Sequence, residues 1–272
     1  MKTSTLLAAA AIAAASTAEA AELAVVAPLQ AGAYAEAVEG FRKNVSGTFD
    51  PYDALRQDAP DDSRIVALFG ARAAAGYYQP GTKVVYLLAP LGGRRRPGWH
   101  EVSMMPDPVQ ALAAYKALQP GLRRLTVFWT SYPGEDYMAA LEAAGRRAGV
   151  AVTPTRLKGP DMFPDRLRRS LGRMDAFWVM PDPVLINQSS IMVLTSFSCA
   201  NAVPFYAPTA ALVIDGASAS YSPGFYEAGA AAARLVNALR SGAAVPEVAY
   251  PPSSLNVNEP LASKCRWPFA LK

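Results

Sequence analysis

Histidine is almost missing from this chain: His100 is the only one in 272 residues, and cysteine occurs twice. A Ser-His-Asp triad in any recognisable setting is therefore absent, because no G-x-S-x-G turn accompanies His100. His-rich zinc sites are lost for the same reason. Cys199 and Cys265 stand too far apart in sequence for a zinc knuckle. No Walker loop occurs, and no G-x-G-x-x-G follows a strand. No paired acidic motif reads as a general acid and base. The expectation is a chain with no catalytic residues, no metal and no cofactor.

Charge is also sparse. Charged residues make up 18% and the formal net charge is +4, which is mild for this length and does not indicate nucleic-acid binding. After residue 20 no stretch approaches the roughly 18 to 20 apolar residues of a membrane span. What is abundant is apolar: 51% of residues, enough for a well-buried core.

The first twenty residues read as a secretory signal. Lys2 supplies the positive start, an alanine-rich apolar run extends from Leu6 to Ala15, and Ala18-Glu19-Ala20 offers small residues at the cleavage positions. Cleavage after Ala20 is expected, with delivery to the periplasm. Export places Cys199 and Cys265 in an oxidising compartment, where they either pair or remain two buried thiols.

Downstream, short apolar runs alternate with amphipathic stretches. Strands are expected at 23–27, 65–68, 83–89, 122–129, 150–152, 175–180, 203–207 and 254–258. Helical spacing falls between them, as in Ala37, Val38, Phe41 and Val45, or Phe163, Leu167 and Leu171. Continuously apolar strands alternating with helices predict βαβ units in parallel sheets covered on both faces. There are more strands than one small sheet needs, and Pro120-Gly121 is the expected joint between two sheets. Gly92 to Gly98, with three arginines, reads as a solvated loop.

Ligands in open α/β sheets bind beyond the carboxyl ends of the strands. The residues just past those ends are Gln30 and Tyr34, Gly70 and Arg72, Ser131 and Tyr132, Asp182, Thr209 and Tyr221. Aromatic rings, hydroxyls and one carboxylate suit a small polar or aromatic ligand. Some of these have a plainer reading: Asp182 as an N-cap, Arg72 as solvated, and Tyr34 and Tyr132 as packing residues.

From about Met105 to Asn258 the order of motifs resembles the ABC-transporter substrate-binding proteins of the type I periplasmic-binding fold, in the group that includes tryptophan-binding members. The pieces are Ala117-Leu-Gln-Pro120, Asp175-Ala-Phe-Trp-Val-Met-Pro-Asp182, Val203-Pro-Phe-Tyr-Ala207, Asp215-Gly-Ala-Ser-Ala-Ser220 and Ser254-Leu-Asn-Val-Asn258. The resemblance implies two Rossmann-like α/β lobes with parallel sheets and a three-segment hinge. The first lobe would take 22–120 and 216–245, the second 121–215 and 246–272. Both cysteines then share the second lobe, which favours a bridge. It also implies a monomer that captures a small molecule, such as an aromatic amino acid, by hinge closure and hands it to an inner-membrane permease. A sensor or accessory protein on the same fold is the alternative. The segment 46–63 is shorter than the family pattern, so a trimmed first lobe is expected.

Overall fold

A computed structural model describes residues 22–28, 32–55, 63–90 and 96–271. The signal segment 1–20, Gln30 and most of the arginine-rich loop lie outside the described residues.

The chain opens with β1 (Leu23–Ala27), α1 (Gly32–Asn44), β2 (Asp50–Asp53), β3 (Ile65–Phe69), α2 (Ala71–Ala74), β4 (Lys83–Leu87) and β5 (Trp99–Val102). It continues through α3 (Pro108–Leu118), β6 (Arg124–Trp129), α4 (Glu135–Ala148), β7 (Ala151–Arg156), α5 (Phe163–Ser170), β8 (Ala176–Val179), α6 (Gln188–Asn201) and β9 (Phe205–Ala207). The last part holds α7 (Ala211–Ile214), β10 (Ala219–Pro223), α8 (Phe225–Arg240), β11 (Val248–Ala249), β12 (Ser253–Val257) and α9 (Glu259–Lys264).

Two six-stranded sheets result, in the orders β11-β5-β4-β3-β1-β2 and β12-β10-β9-β8-β6-β7. Every pairing is parallel except β12, which runs antiparallel to β10. The central strands are apolar on both faces because both are covered. In the first sheet Val25, Ala67 and Val85 pack under α1 and α8, while Ala24, Val66 and Val84 fill the opposite side. In the second, Val127, Trp178 and Tyr206 share a core with α3 and α4, and Phe128, Phe177 and Phe205 share one with α5 and α6. The chain thus folds as two α/β lobes of the periplasmic-binding type.

Local sequence explains the helix ends. Asp107 caps α3, its carboxylate accepting from the backbone N–H of Val109 and Gln110 at 3.0 Å each. Asn187 and Ser190 form a reciprocal capping box on α6. Gly149 closes α4 in the left-handed conformation. Cys199 and Cys265 are joined as a disulfide that ties α6 to the end of α9.

The sheets divide the chain differently from the expected boundaries at three places. The passage from first to second lobe falls at 103–107, not at Pro120-Gly121, because α3 packs on α4 and β10. Pro120-Gly121 only separates α3 from β6; a helix stop is a local signal and carries no information about which sheet follows. Strand β10, at 219–223, belongs to the second sheet, so the return to the first lobe begins at α8 and not at 216. Strand β11, at 248–249, pairs with β5 in the first sheet rather than joining the second-lobe tail.

Candidate functional site

Three segments pass between the lobes: Ser103–Asp107 from β5 to α3, Gly224 from β10 to α8, and Tyr250–Pro252 from β11 to β12. All three leave from the carboxyl ends of strands. In each sheet all the parallel strands end on the same side, so the loops after β1, β3, β4 and β5 look toward the loops after β6, β8, β9 and β10.

Tyrosines hold this junction. Tyr137, in the first turn of α4, donates to the carbonyl of Pro106 at 2.9 Å, and its ring lies 6.5 Å from that of Tyr250. Tyr132, after β6, donates to Glu101 on β5 across the lobes at 3.5 Å, and Tyr86 donates to the other oxygen of the same carboxylate at 3.2 Å. Burial, and then the negative charge of Glu101, push the Tyr132 hydroxyl well above the ordinary tyrosine range. Tyr132 is therefore a neutral donor at any physiological pH. Beside these groups lies a cavity of about 600 Å³ lined from both lobes, by Glu101, Ser103, Glu247 and Tyr250 on one side and by Pro133 and Tyr137 on the other.

The expected ligand residues separate into groups. Tyr34, in the first turn of α1, lies so close to Gly70 that a Cβ added there would sit 2.8 Å from its ring. Gly70 has φ of 98° and opens α2. Both demands, the left-handed backbone and the ring against it, require glycine. Arg72 follows, exposed to solvent. On the facing lobe Tyr132 is buried, at 8% exposure, while Ser131 is exposed and shares a pocket of about 570 Å³ with Thr130, Arg156 and Lys158. Thr209 is half-buried just past β9.

Two residues are engaged elsewhere. The Asp182 carboxylate accepts from the Val184 N–H at 2.8 Å and from the Thr130 hydroxyl, so it braces the loop after β8 against the loop after β6. Tyr221 sits inside β10 and faces α3. Its N–H donates to the Tyr115 hydroxyl at 3.0 Å, and its own hydroxyl donates to Gln110 at 3.4 Å. Sequence reasoning passed over Glu101, Tyr137 and Tyr250. Strand β5 reads Trp-His-Glu-Val, half polar and beside a short edge strand, so it lacks the apolar run that marked the others. Tyr250 lies in one lobe crossing and Tyr137 donates to another, a relation that becomes visible only once the crossings are known.

No family model matches this chain, and no curated protein is similar to it in sequence. Solved structures are similar in fold. The ABC domain from Streptococcus pneumonia in complex with L-Trp has a TM-score of 0.61 and 17% identity, over 91% of this chain and 95% of that one. An ABC transporter solute binding protein from Agrobacterium vitis with bound allitol has a TM-score of 0.51 and 16% identity, over 90% and 97%. The LpoA C-domain from Haemophilus influenzae, a regulator of PBP1A, has a TM-score of 0.52 and 13% identity, over 87% and 96%. What these likenesses have in common with the chain is the fold.

Proposed function

We propose that this chain is an exported solute-binding protein that captures a small molecule between its lobes and delivers it to an inner-membrane ABC-type permease. Residues 1–20 are the signal that sends it to the periplasm, where it works as a monomer without a cofactor or catalytic step. The first lobe comprises 22–103 with 225–249, and the second 107–223 with 253–271.

One observation carries the reading: the carboxyl ends of both parallel sheets look into a junction spanned by only three strands of chain, with a two-lobe cavity beside it. Few covalent crossings permit hinge motion. A ligand touching both lobes then shifts the open–closed balance by its differential affinity for the closed form. Tyr34, Gly70 and Arg72 would meet the ligand from the first lobe, and Ser131, Tyr132 and Thr209 from the second. Buried aromatic rings with a few hydroxyl donors suit an aromatic amino acid or a similar small molecule.

Native mass spectrometry of freshly purified protein, followed by calorimetry with L-tryptophan and then other small solutes, tests this. A bound small molecule is expected. Tyr132→Ala is expected to weaken its binding by roughly tenfold or more, about 1.4 kcal/mol, while the fold persists. Absence of any co-purifying or titratable solute would refute transport. The likeness to the LpoA C-domain favours one alternative, an accessory protein that presents its closed surface to another protein. A permease gene beside this one supports transport; a kinase or receptor gene there supports the alternative.

A further inference from the structure

Four strands form the edges of the two sheets: β11 and β2 in the first, β7 and β12 in the second. An edge strand offers unpaired backbone groups to any other strand, and proteins blunt it with proline, charge or brevity. Strand β11 has two residues, β2 carries Asp50, Pro51 and Asp53, and β7 carries Pro154 and Arg156. Strand β12 has none of these devices. It runs for five residues, Ser253-Ser-Leu-Asn-Val257, without a charge or a proline.

Its register fixes which backbone groups point outward. Residues that face each other in an antiparallel pair alternate between exchanging hydrogen bonds and making none. Strand β12 lies against β10 so that Ala219 faces Val257 and Tyr221 faces Leu255. The next pair along, Asn258 with Ser218, is a bonded one: the Asn258 N–H donates to the Ser218 carbonyl at 3.0 Å. Asn256 and Ser254 therefore bond to β10, and Ser253, Leu255 and Val257 turn their N–H and C=O groups away from it. Two details agree. The Tyr221 N–H goes to the Tyr115 hydroxyl rather than to Leu255, and Pro223, which has no N–H, stands opposite Ser253. Among the described residues nothing bonds to the outward groups. Leu255 is 39% exposed, on the face that carries Tyr221.

We propose that β12 pairs antiparallel with β12 of a second copy of this chain, across a two-fold axis at Leu255. The outward groups recur at every second residue, symmetrically about Leu255, so the edge is complementary to itself. Leu255 meets its counterpart, Ser253 meets the partner's Val257, and each pair exchanges both backbone bonds. The two Leu255 side chains fall on one face. The absence of charge along β12 removes the repulsion that would keep two copies apart. The two second-lobe sheets become one continuous sheet. A contact this narrow makes a weak dimer. Each copy keeps its own lobe junction, so the single chain remains the unit that captures solute.

Sedimentation velocity up to about 1 mM protein, joined to hydrogen exchange of single amides, tests the pairing. A reversible dimer, half formed at about 0.1 mM, is expected. The Leu255 and Val257 amides should then exchange about fivefold more slowly at the highest concentration, while those of Ser254 and Asn256, already bonded to β10, should not change. Leu255→Pro removes an outward N–H and no bond to β10, so the fold should persist and the dimer should weaken about tenfold or more. Leu255→Lys leaves the backbone intact and sets two like charges together at the axis, with the same expected loss. Should the proline variant lose its fold by circular dichroism, the lysine variant decides. A chain that stays monomeric at the highest concentration, or a dimer that the lysine variant leaves intact, overturns the proposal. Slow exchange of Leu255 and Val257 at every concentration would mean that another segment of the chain covers the edge, and overturns it as well.

Discussion

Replacing Gly229 by alanine sets two opposing effects against each other. Gly229 lies inside α8, where a methyl group on its own would favour the helix by about 1 kcal/mol. The helix, however, crosses α1 at backbone contact. A Cβ at Gly229 would run into the Ala37 carbonyl oxygen, lie 2.7 Å from its carbon and come within 2.9 Å of the Phe41 nitrogen. Carbon atoms in contact normally stand about 3.5 to 4.0 Å apart, so the helices must part by roughly 1 Å. The obstacle is backbone, which cannot rotate aside as a side chain can. Parting also loosens Ala37, Phe41, Ala232 and Val236, all fully buried in the core of the first lobe. Overpacking of this kind costs about 3 kcal/mol, leaving a net loss of about 2 kcal/mol and a fall in melting temperature of roughly 4 to 8 °C. Gly32→Ala is the control: it begins α1 and an added Cβ would meet nothing within 4 Å. No loss, or a slight gain, is expected there. Urea and thermal unfolding of both variants measure the contrast. If Gly229→Ala proves as stable as the unaltered protein, the close helix crossing is wrong and so is the packing of α8 on the first lobe.

Two further outcomes follow from the second lobe. Burial alone would raise the Asp175 carboxyl, but the Arg124 guanidinium, at 2.6 and 3.1 Å, and the backbone N–H groups of Arg123 and Arg124, at 2.8 Å each, outweigh it and hold its pKa below the usual carboxylate range. A depressed folded pKa contributes stability above the unfolded value of about 3.9, and that contribution vanishes as pH falls through the folded value. Asp175→Asn should therefore destabilise the protein near neutrality, with the gap from the unaltered protein closing below about pH 4 in a urea series. A constant gap across that range would show that the charge is not what matters. The disulfide between Cys199 and Cys265 spans a sequence separation of 66, for which chain entropy gives about 4 kcal/mol. Cys199→Ser with Cys265→Ser should lose about that much in urea unfolding, and a loss under about 1 kcal/mol would mean the tail docks without the bridge.

The central strands were legible because burial on both faces leaves continuous apolar runs: Ile65–Phe69 and Ala176–Val179 need no tertiary information to be recognised. Strands β2, β5 and β11 carry Asp-Pro-Tyr-Asp, Trp-His-Glu-Val and Val-Ala, and were not legible. They lie at or beside a sheet edge, where one side faces solvent and composition ceases to be diagnostic. The site divided in the same way. Strand-end loops named Tyr34, Gly70, Ser131 and Tyr132 correctly as residues past strand ends. Asp182 was expected as an N-cap, but Asn187 caps α6 and the Asp182 carboxylate serves its own loop. Tyr221 fell inside a strand because β10 extends to Pro223.

The sequence by itself determined that parallel α/β units would form, since hydrophobic periodicity is a local property and each strand or helix must bury the face it presents. Only the tertiary structure decided which sheet each unit joins, where the chain crosses between lobes, and that Glu101 would meet Tyr132 and Tyr137 would meet Pro106. Those meetings depend on the register of distant strands, which is settled by packing over the whole molecule and is written in no single segment.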